Sequence, residues 1–231
     1  MEKVHFQQEQ MLAELKDFVE KGMFTKEETK AIVKKRTAYE TTLIRRIPRK
    51  VDYIRYIEYE EALEKLRCKR VERLDLPKTG PSISSYSITR RILWLHERAV
   101  KRFKSDVDLW VRYIRVAQRD GANGLAGRVC ARALQMHPNE PGLYVIAAMH
   151  ELDQMSAESA RTILQRGLRI NRESVLLWRE YIKMEIGFVE GLRRRWAVLG
   201  VEEQESMREV LDGGIVRTAI AEARKGKILV S

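Results

Sequence analysis

Apolar positions recur along most of this chain at three- and four-residue steps, the period of helices that bury one face. The stretch "LLWREYIKME", residues 176 to 185, shows it well: a Trp stands three residues before a Tyr and seven before a Glu. Positions 0, +3 and +7 share one helical face, so the aromatics form a stripe that packs between neighbouring helices. Much the same arrangement occurs four times. Trp178, Tyr181 and Glu185 match Tyr144, Ala147 and Glu151, then Trp110, Tyr113 and Ala117, then Tyr53, Tyr56 and Glu60. The last three copies are 34 residues apart.

A second landmark keeps the same step. "RAV" at 98 to 100, "RAL" at 132 to 134 and "RGL" at 166 to 168 are also spaced by 34. Two landmarks on one period of this length point to stacked helical hairpins. The acid at +7 is read as a structural carboxylate that accepts hydrogen bonds from the Arg of an "RA(V/L)" helix. The small residue after that Arg, Ala99, Ala133 or Gly167, lets two helices approach closely.

Breakers and caps fall between the periodic segments: "DGANG" at 120 to 124, "HPNEPG" at 137 to 142 and "NRES" at 171 to 174. They predict helices near 106–119, 124–136, 141–153, 157–170 and 174–198. Upstream, "TKEE" at 25 to 28 has the form of a capping box, and a preceding helix ends near "EKG". A long helix follows over "RKVDYIRYIEYEEALEKLRCKRVERL", the turn "LPKTGPSISS" breaks the chain, and "ITRRILWLHERAVKRF" resumes it. The expected fold is all-α, a right-handed α-α superhelix of antiparallel helix pairs with a long groove that suits a partner segment. Residues 1–104 form an irregular helical cap with the first irregular unit, 105–200 the regular repeats, and 201–231 an acidic segment and a last helix.

Composition fits this picture. With 44% apolar and 33% charged residues and five prolines, the chain reads as globular and helical. Cys68 and Cys130 share no metal-ligand spacing with His5, His96, His137 and His150, and are expected to be buried thiols in a reducing compartment. No apolar run approaches the roughly 20 residues that cross a bilayer, and the first residues lack a secretory profile, so a soluble intracellular protein is expected. No catalytic set, metal site, cofactor or small-molecule substrate is implied. "DGANGLAGR", 120 to 128, is Gly-rich but follows a helix and lacks a Gly-Lys-Ser/Thr ending, so it reads as an inter-helix turn.

The charge adds one functional hint. The formal net charge is +11, and residues 30 to 73 hold 14 Lys or Arg against seven acids. A basic surface attracts polyanions or acidic protein segments. The candidate RNA- or partner-binding residues are Lys34, Lys35 and Arg36, then Arg45, Arg46, Arg49 and Lys50, then Arg67, Lys69 and Arg70.

Aromatics at 0 and +3 with an acid at +7, followed by an Arg-small-apolar step, resemble the HAT (half-a-tetratricopeptide) repeat. The ordinary tetratricopeptide pattern fits less well, because "WREY" stands where a Leu-Gly pair would follow the Trp. The stretches "LKDFVEKGMFTKEETKAIVKKRTAYE", "DYIRYIEYEEALEKLRCKRVERL" and "RGLRINRESVLLWREYIKMEIGFVEGLRRR" are similar to the HAT-repeat subunits of the small-subunit processome. These form the family of the sixth U3 small nucleolar RNA-associated protein, and the similarity covers about residues 3 to 200. The resemblance implies a nucleolar, non-catalytic scaffold of the UTP-B subcomplex that supports pre-18S ribosomal RNA processing. It implies other UTP-B subunits, largely WD-repeat propellers, as partners, together with the U3 snoRNP and pre-rRNA. Members are longer and carry further repeats, so this chain is expected to be a truncated array. A HAT factor of splicing or mRNA 3′-end formation is the alternative.

Overall fold

Helices make up all the regular secondary structure among the described residues of the computed structural model, which are 11, 13–74, 83–199 and 213–225. The acidic segment at 201–212 and most of the turn expected at 76–85 lie outside the described residues. The chain divides into two compact units, Met1–Leu109 and Trp110–Ser231.

The first unit contains α1 (13–20), α2 (Lys26–Leu43), α3 (Lys50–Arg73), α4 (Ile83–Arg102) and the start of α5 (Val107–Arg119). The backbone turns between α1 and α2 through Gly22 at φ 66, a left-handed conformation that glycine adopts without strain. The capping box forms as the "TKEE" sequence requires: Glu28 N–H donates to Thr25 Oγ1 at 3.2 Å, and Thr25 N–H donates to Glu28 Oε2 at 2.9 Å. α3 packs against both α2 and α4. Its stripe residues Tyr53 and Tyr56 are buried; Tyr56 stacks on Tyr39 with centroids 5.0 Å apart, and Tyr53 meets Phe103 edge-on at 5.8 Å.

One boundary differs from the sequence reading. α4 begins at Ile83, inside the expected turn, rather than at Ile88. Serines are favourable at helix starts, and the buried face Ile88, Ile92 and Leu95 holds the remainder of the helix in place.

The second unit continues α5 and adds α6 (Asn123–Met136), α7 (Pro141–Asp153), α8 (Ala157–Ile170), α9 (Val175–Leu199) and α10 (Gly214–Lys225). Each of the helices α5 to α9 starts and ends within one residue of its predicted bounds. α6 packs on α7, α7 on α8, α8 on α9 and α10 on α9, while α7 also touches α9. Tyr144, Leu164, Leu168, Leu177 and Tyr181 share one buried cluster with Ala219 of α10. The aromatic stripe is deep at Trp110, Tyr113 and Tyr144. Trp178 is only half-buried, its indole N–H donating to the Arg172 carbonyl at 3.0 Å.

Close approach is tightest at Gly167, where a Cβ would stand 2.9 Å from the Tyr144 ring. Only hydrogen fits there. Of the two cysteines, Cys130 is buried, but Cys68 is exposed, contrary to expectation. It lies five positions past Leu63, the last buried residue of α3, and so off the packed face. Burial and the neighbouring Glu151 charge push the Cys130 thiol up to about 11. Among the described residues, no helix is long and apolar enough to cross a membrane.

Candidate partner-binding surface

The basic segment of the sequence occupies the α2–α3 hairpin, and only some of its cations reach solvent. Lys34 and Lys35 are exposed in the middle of α2. Arg45, Arg46 and Arg49 are exposed in the connection to α3, beside Ile44 and Ile47, and Lys69 is exposed near the end of α3. With a rise of about 1.5 Å per residue, Lys34 and Arg45 lie roughly 16 Å apart along the hairpin. The cations therefore form a string rather than one cluster.

Arg36 does not belong to that string, although the run "KKR" placed it there. It is fully buried, with no exposed side-chain surface. Its Nε and Nη2 donate to the two oxygens of Glu60 at 2.7 Å each, and Nη1 and Nη2 reach Glu14 Oε1 at 3.3 Å. The other Glu14 oxygen accepts from Arg91 at 3.1 Å. Burial by itself would lower the Arg36 pKa, but Glu60 through charge and hydrogen bonding, then Glu14, hold it above the ordinary guanidinium range. Burial, reinforced by the Glu60 charge, pushes the adjacent Tyr56 hydroxyl well up. One guanidinium thus ties α1, α2 and α3 together, and Glu14 extends the tie to α4.

Three further candidates are drawn into ion pairs at the surface. Arg70 grips Glu28 in a two-pronged bond of 2.6 and 2.7 Å, and the Arg70 hydrogen bond, aided by Thr25, holds the Glu28 carboxyl at about 2. Arg67 pairs with Glu64, and Lys50 with Asp106. Lys35 stands over the Tyr59 ring at 5.4 Å.

The repeat acids that are buried in ion pairs take arginines other than those of the "RA(V/L)" steps. Glu185 accepts from Arg161 at 2.6 and 2.8 Å, and Glu60 from Arg36; in both pairs the Arg lies 24 residues upstream. The "RA(V/L)" arginines do something else. Arg98 bonds Glu40 at 3.0 and 3.1 Å, Arg132 lies over the Trp110 ring at 5.4 Å, and the Arg166 charge opposes the rise that burial imposes on the Tyr144 hydroxyl. Antiparallel geometry explains the correction. Arg161 and Glu185 stand about equally far from the turn at 171–174 and so lie level, whereas Arg166 lies level with Trp178.

At the third copy the same offset leads from Glu151 to Gly127, which has no side chain, and Glu151 is half-buried. His150 occupies that place instead. A Cβ on Gly127 would meet its Nε2 at 3.6 Å; Nε2 sits 3.1 Å from the Asn123 carbonyl and Nδ1 3.3 Å from the Gln118 amide. The Asn123 carbonyl can only accept, so the Nε2 contact is one in which the imidazole donates. His137 is the residue after the last turn of α6. Among the described residues, no group of three His, Cys, Asp or Glu is placed to hold a metal ion.

Comparison with known proteins gives a consistent kinship. Residues 8–91 match the family model described as U3 small nucleolar RNA-associated protein 6. The U3 small nucleolar RNA-associated protein 6 of Schizosaccharomyces pombe is 39% identical over 200 residues, which is 86% of this chain and 41% of that protein. The human homolog is 33% identical over 211 residues, 89% of this chain and 35% of its own. The Dictyostelium discoideum homolog is 28% identical over 190 residues, 82% and 31% of the two chains. This chain therefore spans less than half the length of the curated relatives it matches. Among solved structures, "MamA MSR-1 C2" overlays 79% of this chain and 98% of its own at a TM-score of 0.36 and 10% identity.

Proposed function

We propose, from the kinship of this chain with the U3 small nucleolar RNA-associated protein 6 family, that it serves U3 snoRNP-dependent processing of pre-18S ribosomal RNA. In this reading it is a non-catalytic, nucleolar HAT-repeat scaffold of the UTP-B subcomplex, held by propeller-type partner subunits. The carrying observation is the identity of 39% with the fission-yeast relative across 86% of this chain. The polar interior supports it. Arg36, Glu14 and Glu60 in one unit and Arg161 and Glu185 in the other are committed to ion pairs between helices, a use that fixes helix placement. A scaffold works through its exterior, and the exterior here is rich in cations.

Direct contact with RNA is the second reading, favoured by the exposed string Lys34, Lys35, Arg45, Arg46 and Arg49. Affinity purification of the tagged chain from cells, with and without ribonuclease, separates the two. Propeller-type subunits that stay bound after ribonuclease are the expected outcome. Partners that vanish with the RNA would favour the second reading, and splicing or polyadenylation factors would overturn the assignment to rRNA processing.

A further inference from the structure

The second unit carries an open groove of about 540 Å³ between α7 and α9, a size typical of sites that take a ligand's apolar groups. Met149, Leu152 and Met155 line one side, and Met184 and Phe188 the other. Much of this apolar surface faces water: Met149 is 57% exposed and Met155 92%. Met155 also has φ 61, the only positive φ at a non-glycine among the described residues, in the turn after α7 where a glycine would be unstrained. The backbone tolerates a strained conformation there, and the side chain stands at the mouth of the groove. Methionine surfaces of this kind adapt to an incoming apolar face.

The far wall indicates what that face belongs to. Lys183, Gly187, Gly191 and Arg195 recur every fourth residue along α9 and all line the groove. A Cβ at Gly187 or Gly191 would meet nothing within 4 Å, so packing inside this chain does not call for glycine at either position. Each costs about 1 kcal/mol of helix stability relative to Ala. Their bare backbone leaves room for a rod of helix width to lie close. The cations at the two ends of the row are separated by about 18 Å of helix axis, just over three turns.

Charge then selects among occupants. Glu180, the acid that lines the groove, is held by Lys183 and Arg179 at 3.0 Å each, and the Lys183 hydrogen bond, then that of Arg179, keeps its carboxyl below the ordinary range. Of the charged residues that line the groove, Lys183 and Glu180 pair at one end, and Arg195, whose Nε donates to the Gly191 carbonyl at 3.4 Å, leaves an excess positive charge at the other. We propose that this groove receives one amphipathic helix of a protein partner, its apolar stripe against the methionines and Phe188 and its carboxylates towards Lys183 and Arg195. The proposal rests on the scaffold reading and names the chemistry of one partner segment.

Fluorescence anisotropy on the full chain tests it with two labelled synthetic helices of about four turns, sharing one Leu stripe and flanked by Glu or by Lys, and with single-stranded oligo(U) as competitor. The Glu-flanked helix should bind saturably and at least about tenfold more tightly than the Lys-flanked one. Gly187→Leu with Gly191→Leu, which fills the row with better helix formers, and Met155→Gly, which relieves the strained turn, should keep or raise Tm while each weakens binding about tenfold. Lys183→Glu with Arg195→Glu should remove the preference for Glu flanks. Equal binding of the two helices, no saturable binding of either, indifference to the Leu pair, or displacement by oligo(U) would each overturn the proposal. The purification from cells reads the scaffold assignment independently. A groove that fails with propeller-type subunits still recovered loses only this inference, and a groove that binds with none recovered loses the assignment.

Discussion

Arg36 shows at the residue scale how a charge can mislead when read from sequence alone. It sits in a basic run, yet the fold spends it on Glu60 and Glu14 in the interior. Removing one partner of a buried pair strands the other, at a cost of about 3 to 5 kcal/mol, while replacing both by apolar groups is often nearly neutral. Glu60→Gln should therefore lower stability by about 3 kcal/mol in urea unfolding, and Arg36→Met combined with Glu60→Leu should recover most of the loss. Glu28 makes the opposite case at the surface. Its folded pKa of about 2 lies below the ordinary 4.5, so the contribution of its pair with Arg70 is present above pH 4.5 and fades as pH falls towards 2. A carbon-detected NMR titration should place the Glu28 midpoint near 2, and Arg70→Ala should return it towards 4.5.

Two glycines separate packing from propensity at the scale of the element. Gly167 of α8 lies against the Tyr144 ring with no space for a methyl group, so Gly167→Ala should destabilise by about 1 to 3 kcal/mol despite the better helix propensity of Ala. Gly187 of α9 has open space at the same distance, and Gly187→Ala should raise stability by about 1 kcal/mol. Thermal unfolding of the two variants side by side checks the reversal of sign. The small-residue step of "RGL" was legible because Ala, Ala and Gly alternate with Arg at a fixed period. Its partner was not, since only the three-dimensional hairpin brings Tyr144 over residue 167.

The whole molecule places its two candidate surfaces in different units. The string Lys34, Lys35, Arg45, Arg46 and Arg49 belongs to the first, and the apolar groove with Lys183 and Arg195 to the second. Any affinity of the purified chain for single-stranded RNA should be steeply salt-dependent. Reversing Lys34, Lys35, Arg45 and Arg46 to Glu should reduce the slope of log K against log salt by at least about three. Arg36→Gln should leave that slope alone and lower Tm instead, because a buried cation releases no counterions on binding. Measured together, slope and Tm distinguish a surface charge from a structural one.

Periodicity sufficed for much of this architecture. The 34-residue step and the breakers between helices located α5 to α9 to within a residue, and the capping box at Thr25 located the start of α2, because helix formation and helix termination are governed by neighbours within a few positions. Burial of Tyr53, Tyr56, Trp110, Tyr113, Tyr144 and Tyr181 followed from the same local pattern, while Trp178 at the start of the last stripe is only half-buried. Pairing across a hairpin did not, since it depends on which residues stand level once two helices lie antiparallel. Only the tertiary structure decided that Glu60 and Glu185 take arginines 24 positions upstream, that Arg36 leaves the basic surface, and that Lys183, Gly187, Gly191 and Arg195 form the wall of a groove. The 24-residue offset between Arg and Glu was present in the sequence throughout. Recognising it required the turn about which the two helices fold, and that turn is where local preference ends and packing begins.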